Sequence, residues 1–506
     1  MTELLPFGPG AWLFISLYIG SLLLFGWLGF RARRENTLHD FYVAGPGFGF
    51  VVLVLTLYAT QYSGNSLFGF TGSTYRMGYA WVLSVHFMLS IVVFYLLFAV
   101  QLQRLAKQRG YVTPGDFVRE RFNSKVLNLI VAIIMIAALS NYLLAQLMAM
   151  GRALQGLAGP HGDVAYQYGV IILALIMVIY GTLGGIRAVA WSDMVQGLVL
   201  LVGFLLLLVI LADKFGPLSL ATDKILAEPS TTHKITPPDA ARMREWLSYI
   251  LIVGIGGALY PQAIQRIYAA RSEIVLRRSL AVMAFLPFLT VFIAVIAGIY
   301  AIAYVPGLEG ASTDQVLGRL FRLLQEDSLL GYWFVVILFA AVLSAIMSTA
   351  DSALLSISSM LTKDIYGQFI NSNATEAELT RLGKIFSWGL LACLVLFAIL
   401  LKDQTSLVRL LDRKFDLLVQ LGPAFMLGIR WAGLHTMPVL IGLVIGLIIS
   451  LTLAFGPFEF VQGGKVWGIH PGLFGFAVNL VIAVSGSIYL NRRDKLQGGH
   501  NELAPS

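Results

Sequence analysis

Ser344, Ser348, Ser352, Ser356 and Ser359 recur along one apolar run at spacings of four, four, four and three residues, with Thr349 and Asp351 among them. At 3.6 residues per turn these hydroxyls share a helix face, and Ala345, Ser348, Thr349 and Ser352 lie on it together. The run begins near Leu330 and continues to Tyr366, long enough to cross a bilayer. A polar stripe on such a helix faces protein, water or an ion, not hydrocarbon. Two chemistries suit it. Serine and threonine in membrane helices bond to their own i−4 carbonyls or permit close packing. Neutral hydroxyls are also hard ligands for a cation that must be released again.

Two other stretches offer oxygen ligands. Ala59-Thr60-Gln61-Tyr62-Ser63-Gly64-Asn65-Ser66 and Gly254-Ile255-Gly256-Gly257 with Tyr260-Pro261-Gln262 interrupt apolar runs with polar residues, glycine or proline. Proline removes an i→i−4 hydrogen bond, and an opened ladder frees carbonyls that are costly in lipid but useful around a cation. A sodium ion takes about five such oxygens. Gln61, Tyr62, Asn65, Ser66, Tyr260 and Gln262 are expected to face a solute, with Asn141, Gln146 and Gln420 joining them or bonding across helices.

Asp351 lies about one turn beyond Ser348 and, at membrane depth, needs a partner. Asp193 reads either as an acid in the first turns of a helix, stabilised by its dipole, or as a bundle-facing group for a second cation or a gate. The cluster Arg409, Asp412, Arg413, Lys414 and Asp416 reads as a self-neutralising surface patch or as an anion-attracting external vestibule. His86, His435 and His470 have no metal-ligand spacing and read as packing or interfacial residues.

These groups need a membrane scaffold to position them. The 506 residues are 58% hydrophobic and 12% charged, with mean hydropathy +0.80, which excludes an ordinary soluble globule. The net charge of +8 sits in short loops between apolar runs, so it orients the chain in a membrane and does not mark a nucleic-acid surface. A single cysteine, Cys393, leaves no intrachain disulfide. The runs 11–30, 46–75, 78–103, 123–157, 165–183, 187–211, 246–265, 280–304, 330–362, 382–401, 415–431, 434–454 and 470–490 predict an all-α polytopic protein of about thirteen transmembrane helices. The first run ends in Arg31, Arg33 and Arg34 and reads as a retained span. Placing those arginines in the cytoplasm puts the N-terminus outside and the C-terminus inside. Lys and Arg then cluster in the internal segments 104–125, 266–278, 363–384 and 492–495, while 212–245 and 305–329 are external. The broken runs, five spans apart, fit inverted repeats over 46–211 and 246–431, with one extra helix before them, two more over 434–490 and a tail at 491–506.

The chain resembles the sodium:solute symporter family of proline, pantothenate, monocarboxylate, sialic acid and sugar cotransporters. The resemblance runs from Asp40-Phe41-Tyr42-Val43-Ala44-Gly45 to the eleventh span. Its most specific pieces are Ala59 to Gly72, Gly184-Gly185-Ile186-Arg187-Ala188-Val189 through Gln196-Gly197, and Ser348 to Tyr366. It implies a LeuT-type fold, sodium-coupled uptake by alternating access, and no enzymatic activity. It further implies a main sodium site of backbone oxygens at Ala59, Tyr62 and Ala345 with the side chains of Ser348 and Thr349. Some members hold a second sodium on an aspartate matching Asp193 and on hydroxyls of the serine-rich helix; Asp193 and Ser352 match, but Asp351 stands where those members carry serine. The proline transporter has an aspartate at the position of Gln61. Tyr260-Pro261-Gln262 is closer to the proline, pantothenate and monocarboxylate branch than to the sugar transporters, so a small carboxylate-bearing solute is the expected cargo. The other readings are proton coupling through Asp193 or Asp351, symport of a sugar or sialic acid, and a membrane sensor module. The expected partners are sodium, the solute and the bilayer, with no nucleic acid and no obligate protein partner.

Overall fold

The computed structural model describes residues 7–31, 38–43, 47–158 and 161–501. Arg33 and Arg34, on which the orientation of the first helix rests, lie outside them. The described chain is helical almost throughout, apart from a small antiparallel hairpin pairing Val461–Gln462 with Lys465–Val466. Helix starts follow local chemistry. Ser328 caps the serine-rich helix Leu329–Ser359 by accepting from Gly331 N at 3.0 Å, and Asp239 caps Ala240–Ala258 by accepting from Arg242 N at 2.8 Å.

The span count is corrected. Among the described residues nine helices are long and apolar enough to cross a membrane, or ten if the bent pair Ala240–Ala258 and Pro261–Ala269 is one span, and not about thirteen. Three expected spans fail for separate reasons. The run at 11–30 is represented by a shorter apolar helical stretch, Pro9–Leu24. The run at 46–75 stops as a helix at Gln61, and its remainder joins the following helix in one segment, Asn65–Arg109. The run at 415–431 is divided among the charged helix Leu407–Leu418, a tight turn at Val419–Leu421 and a π-helical turn at Pro423–Leu427.

The expected spans 165–183 and 187–211 correspond to Gly162–Ile179 and Gly185–Phe215, which meet in the helical segment Gly162–Phe215 at a kink at Gly185, whose φ of 65° lies in the region that favours glycine.

The serine-rich helix is the axis of the molecule. It packs most extensively against Gly162–Phe215 and Lys125–Leu157, and nearly every residue from Val335 to Ser359 is buried. Large apolar side chains such as Leu17, Val93, Val209, Leu396, Ile448 and Val481 are instead exposed on the outer helices. A soluble protein would not display them so widely; hydrocarbon accepts them at no cost.

The charged segments gather at two ends. At one, Arg104 pairs with Glu273 at 2.8 Å, Lys363 with Asp116 at 2.6 Å, and Arg121 donates to Gly428 O and Trp431 O at 2.7 and 2.8 Å. At the other, Arg76 pairs with Asp314 at 3.2 Å, Lys402 with Asp163 at 2.7 Å, and Arg244 donates to Trp467 O at 2.9 Å. A cavity of ≈ 710 Å³ opens at this second end, lined by Arg76, Trp81, Glu245, Tyr249, Asp412 and Lys465 among others.

Candidate functional site

Helix Phe50–Gln61 ends where Tyr62 takes an extended conformation, φ −98° and ψ 109°, and a π-helical turn resumes at Asn65. The N–H groups that would have closed the next turns are taken by side chains. Ser63 N donates to Ser66 Oγ at 3.3 Å, Gly64 N to Gln146 Oε1 at 3.0 Å, and Asn65 N to Ser63 Oγ at 3.2 Å. The carbonyls of Ala59 and Thr60 are thereby released from the helix. They accept instead from hydroxyls of other helices: Thr349 Oγ1 reaches Ala59 O at 3.2 Å and Tyr142 OH reaches Thr60 O at 3.3 Å. The break and the serine-rich helix are therefore in direct contact.

Gly64 makes that approach possible. A Cβ there would lie 2.6 Å from Ile346 Cγ1 and 2.8 Å from Ala149 Cβ, closer than carbon atoms approach. Gly64→Ala is expected to force the two helices apart and cost about 1–3 kcal/mol, read as a lower midpoint in thermal unfolding of the purified protein. An unchanged midpoint would show that the break has slack.

The hydroxyl stripe faces protein along its whole length. Ser344 bonds Tyr18 OH at 2.5 Å, and Ser348 donates to Asp193 Oδ1 at 2.6 Å. Ser352 accepts from Arg266 at 2.5 Å while donating to its own i−4 carbonyl at 2.7 Å. Ser356 donates to Gln265 Oε1 at 2.5 Å, and Ser359 accepts from Gln265 Nε2 at 2.9 Å. Back-bonding and tertiary bonding thus coexist at Ser352.

Asp193 is fully buried and is not a helix-start acid, because it lies about two turns past the kink at Gly185 where its span begins, and the dipole effect fades within the first turn. Its carboxylate meets Arg266 Nη2 at 2.7 Å and Thr56 Oγ1 at 2.5 Å as well as Ser348. Arg266, placed by the sequence at the start of an internal loop, is instead inside helix Pro261–Ala269 and 1% exposed. It also donates through Nε to Thr56 at 2.8 Å and through Nη1 to Gln262 O at 3.1 Å. A buried pair of this kind is tolerable because nearly every donor of the guanidinium fork is used. Asp351, one turn from Ser348, is buried with neither carboxylate oxygen bonded to a described residue.

The second break lies at Leu259–Tyr260, where the paired helices bend by 52°. Pro261 lacks the N–H that would reach Gly257 O, which accepts from Tyr95 OH at 3.4 Å. Tyr95 also accepts from Gln61 Nε2 at 2.7 Å, so this phenol links the two breaks. Tyr260 stacks on Tyr142 with ring centroids 5.2 Å apart and planes 9° apart. Among the described residues neither amide atom of buried Gln262 has a hydrogen-bond partner, and Gln61 Oε1 has none either.

Three expected residues are otherwise engaged. Asn65 donates to Leu407 O at 3.1 Å and Ser66 caps Ser63. Gln420 is away from the breaks, donating to Ser450 Oγ at 2.9 Å and Gly472 O at 2.8 Å and so bonding across to the C-terminal helices. Sequence reading missed Thr56, Tyr95, Tyr142, Gln265 and the inward role of Arg266. The QxxxR spacing of Gln262 and Arg266 on one helix face was a usable signal, as was the single arginine beside a broken helix.

The charged cluster near residue 412 is not a surface patch. Asp412, Lys414 and Asp416 are buried. Asp412 accepts from Tyr249 OH at 2.9 Å and lies 3.6 Å from Lys465 and 3.4 Å from His470. Burial works against charge on Lys465, yet Asp412 and Glu245 outweigh it and hold its pKa above the usual lysine range. His470, read from sequence as a packing residue, belongs to this network through Ser248 as well, at 2.6 Å.

Comparison with known proteins bears directly on this arrangement. The model of the Sodium:solute symporter family matches residues 41–446, which contain both breaks and the serine-rich helix. The chain belongs to the sodium:solute symporter family. The symporter is 28% identical over 418 residues to the Uncharacterized symporter YhjB of Bacillus subtilis (strain 168), covering 81% of this chain and 82% of that one. It is 23% identical over 491 residues to the Osmoregulated proline transporter OpuE of the same organism, covering 95% of each. Among solved structures, the substrate-bound outward-open state of a Na+-coupled sialic acid symporter superposes with TM-score 0.75 at 18% identity, covering 95% of this chain and 98% of the other. That likeness gives the fold, which is LeuT-type. The symporter is thus a multi-pass plasma-membrane protein that couples sodium to secondary transport of an organic solute; it is a transporter and not a catalytic enzyme.

Proposed function

We propose that the symporter holds its coupling sodium between the first break and the serine-rich helix, on the backbone oxygens of Ala59, Tyr62 and Ala345 and the hydroxyls of Ser348 and Thr349. The observation that carries this is the 3.2 Å approach of Thr349 Oγ1 to the freed Ala59 carbonyl. Two hard oxygens from different helices meet there, one of them released by a helix break, which is what a weakly held cation requires. Ser348 donates its proton to Asp193 and so keeps its lone pairs for an ion. Asp193 serves as the anchor of that hydroxyl, with its own charge already matched by Arg266. Asp193, Asp351 and Ser352 form the neighbouring acid-and-hydroxyl group through which a second cation or a proton would couple.

The solute is a small carboxylate-bearing compound held between the breaks by Gln61, Tyr260 and Gln262, with Asn65 and Ser66 supporting the walls. In this reading the end carrying the ≈ 710 Å³ cavity is the external one, the N-terminus is outside, the C-terminus is cytoplasmic, and 46–211 and 246–431 are inverted repeats; the basic residues of the expected internal loops support that orientation. Sodium binding steadies the outward-open state and raises solute affinity, since coupling between sites is reciprocal. With one sodium and a monoanionic solute the cycle carries no net charge and the sodium gradient alone drives it; with a second cation one net positive charge moves inward and gains about 2.3 kcal/mol per 100 mV, enough for roughly 50-fold accumulation.

Purified symporter in liposomes tests the reading. An inward sodium gradient should drive accumulation of a labelled carboxylate, and a pH gradient without sodium should not. Uptake driven by the pH gradient alone would replace sodium with a proton at the Asp193–Asp351 pair.

A further inference from the structure

Lys414 is 2% exposed, and its Nζ makes no ion pair or hydrogen bond with any described residue. What surrounds it is aromatic: Nζ lies 3.4 Å from the ring centroid of Tyr142, 4.9 Å from that of Phe415 and 5.0 Å from that of Tyr260. Ring faces return only part of the hydration a buried ammonium loses, so a counter-charge is called for. The acids beside it in the chain are committed elsewhere. Asp412 is held by Tyr249, Lys465 and His470, and Asp416 by Arg413 at 3.0 Å and the Gly472 N–H at 2.7 Å.

The position is a meeting point of the whole site. Tyr142 bonds the Thr60 carbonyl of the first break, and Tyr260 is the hinge of the second. Asp412, about half a turn before Lys414 on the same helix, lines the ≈ 710 Å³ cavity. The unpaired amide of Gln262 follows Tyr260 by two residues.

We propose that Lys414 is the receptor for the carboxylate of the transported solute, with the rings of Tyr260 and Phe415 as the apolar wall beside it. This rests on the transport reading above and narrows its solute to an anion whose charge replaces the acid that Lys414 lacks.

The test uses the full-length symporter in detergent, followed by thermal unfolding in sodium sulfate. The probes are propionate, benzoate and L-lactate, each beside its neutral amide, with sodium chloride as a control. At least one acid is expected to raise the midpoint while its amide does not. Lys414→Gln should weaken that acid by about 10- to 100-fold, Lys414→Arg should retain a response, and the stabilisation by sodium alone should be the same in all three proteins. The proposal is overturned if an amide acts as well as its acid, if no acid in the panel acts, if chloride alone reproduces the effect, or if Lys414→Gln binds like the unaltered chain. The acid-against-amide contrast is read on the unaltered chain, so a variant that fails to fold does not shield the proposal. Loss of the sodium response in the unaltered chain would instead sink the sodium site and leave the Lys414 contrast standing.

Discussion

Arg266→Met is expected to be the most damaging single substitution in the symporter. The guanidinium joins Asp193, Ser352, Thr56 and the Gln262 carbonyl, tying the second break to the serine-rich helix and to the helices of Thr56 and Asp193. Its removal leaves the Asp193 carboxylate buried with two hydroxyl donors and no counter-charge. Breaking a buried pair from one side costs about 3–5 kcal/mol, which should appear as a large fall in the unfolding midpoint and loss of sodium-driven uptake. Arg266→Lys should recover only part, since an ammonium cannot reproduce the fork that serves Thr56 and Asp193 together. The double change Arg266→Met with Asp193→Asn should be less destabilised than Arg266→Met alone, because no charge is then left unmatched. Additive losses in that cycle would mean that the two side chains do not depend on one another.

The second large effect is expected at Thr349. If its hydroxyl and the Ala59 carbonyl hold sodium, Thr349→Ala removes one ligand and raises the sodium concentration for half-maximal uptake by roughly 10- to 100-fold. Thr349→Ser keeps the oxygen and should stay close to the unaltered protein. The hydroxyl is fully buried, donates to Ala59 O at 3.2 Å and has the Tyr142 phenol beside it, so the substitution removes neutral hydrogen bonds and no charge and should leave the fold intact. Unfolding measured without sodium checks that separation. Sodium dependence that is indifferent to Thr349→Ala would remove this residue from the site.

These two expectations concern different layers of one assembly. In the proposed sodium site Thr349 acts where ion and protein oxygens would meet. Arg266 acts on the packing that brings the breaks and the serine-rich helix to the same depth. Lys414, under the proposal made for it, is a third layer, on the side of the solute.

The membrane class, the helical architecture, the polar face of the serine-rich helix and the two breaks were all legible in the sequence. Each is a local property: apolar run length, spacing at 3.6 residues per turn, and the backbone effects of proline and glycine. Local signals misjudged the span count for the same reason. Hydropathy does not register where a helix ends, so the apolar stretch around Tyr62 reads as one span although the chain unwinds there, and the charged helix Leu407–Leu418 is counted into a span it does not form. The partners were decided by the tertiary structure alone. Arg266 and Asp193 are 73 residues apart, Ser356 and Gln265 are 91 apart, and Thr349 and Ala59 are 290 apart. A sequence records that a buried charge or freed carbonyl must be answered; which distant side chain answers it depends on how the helices pack.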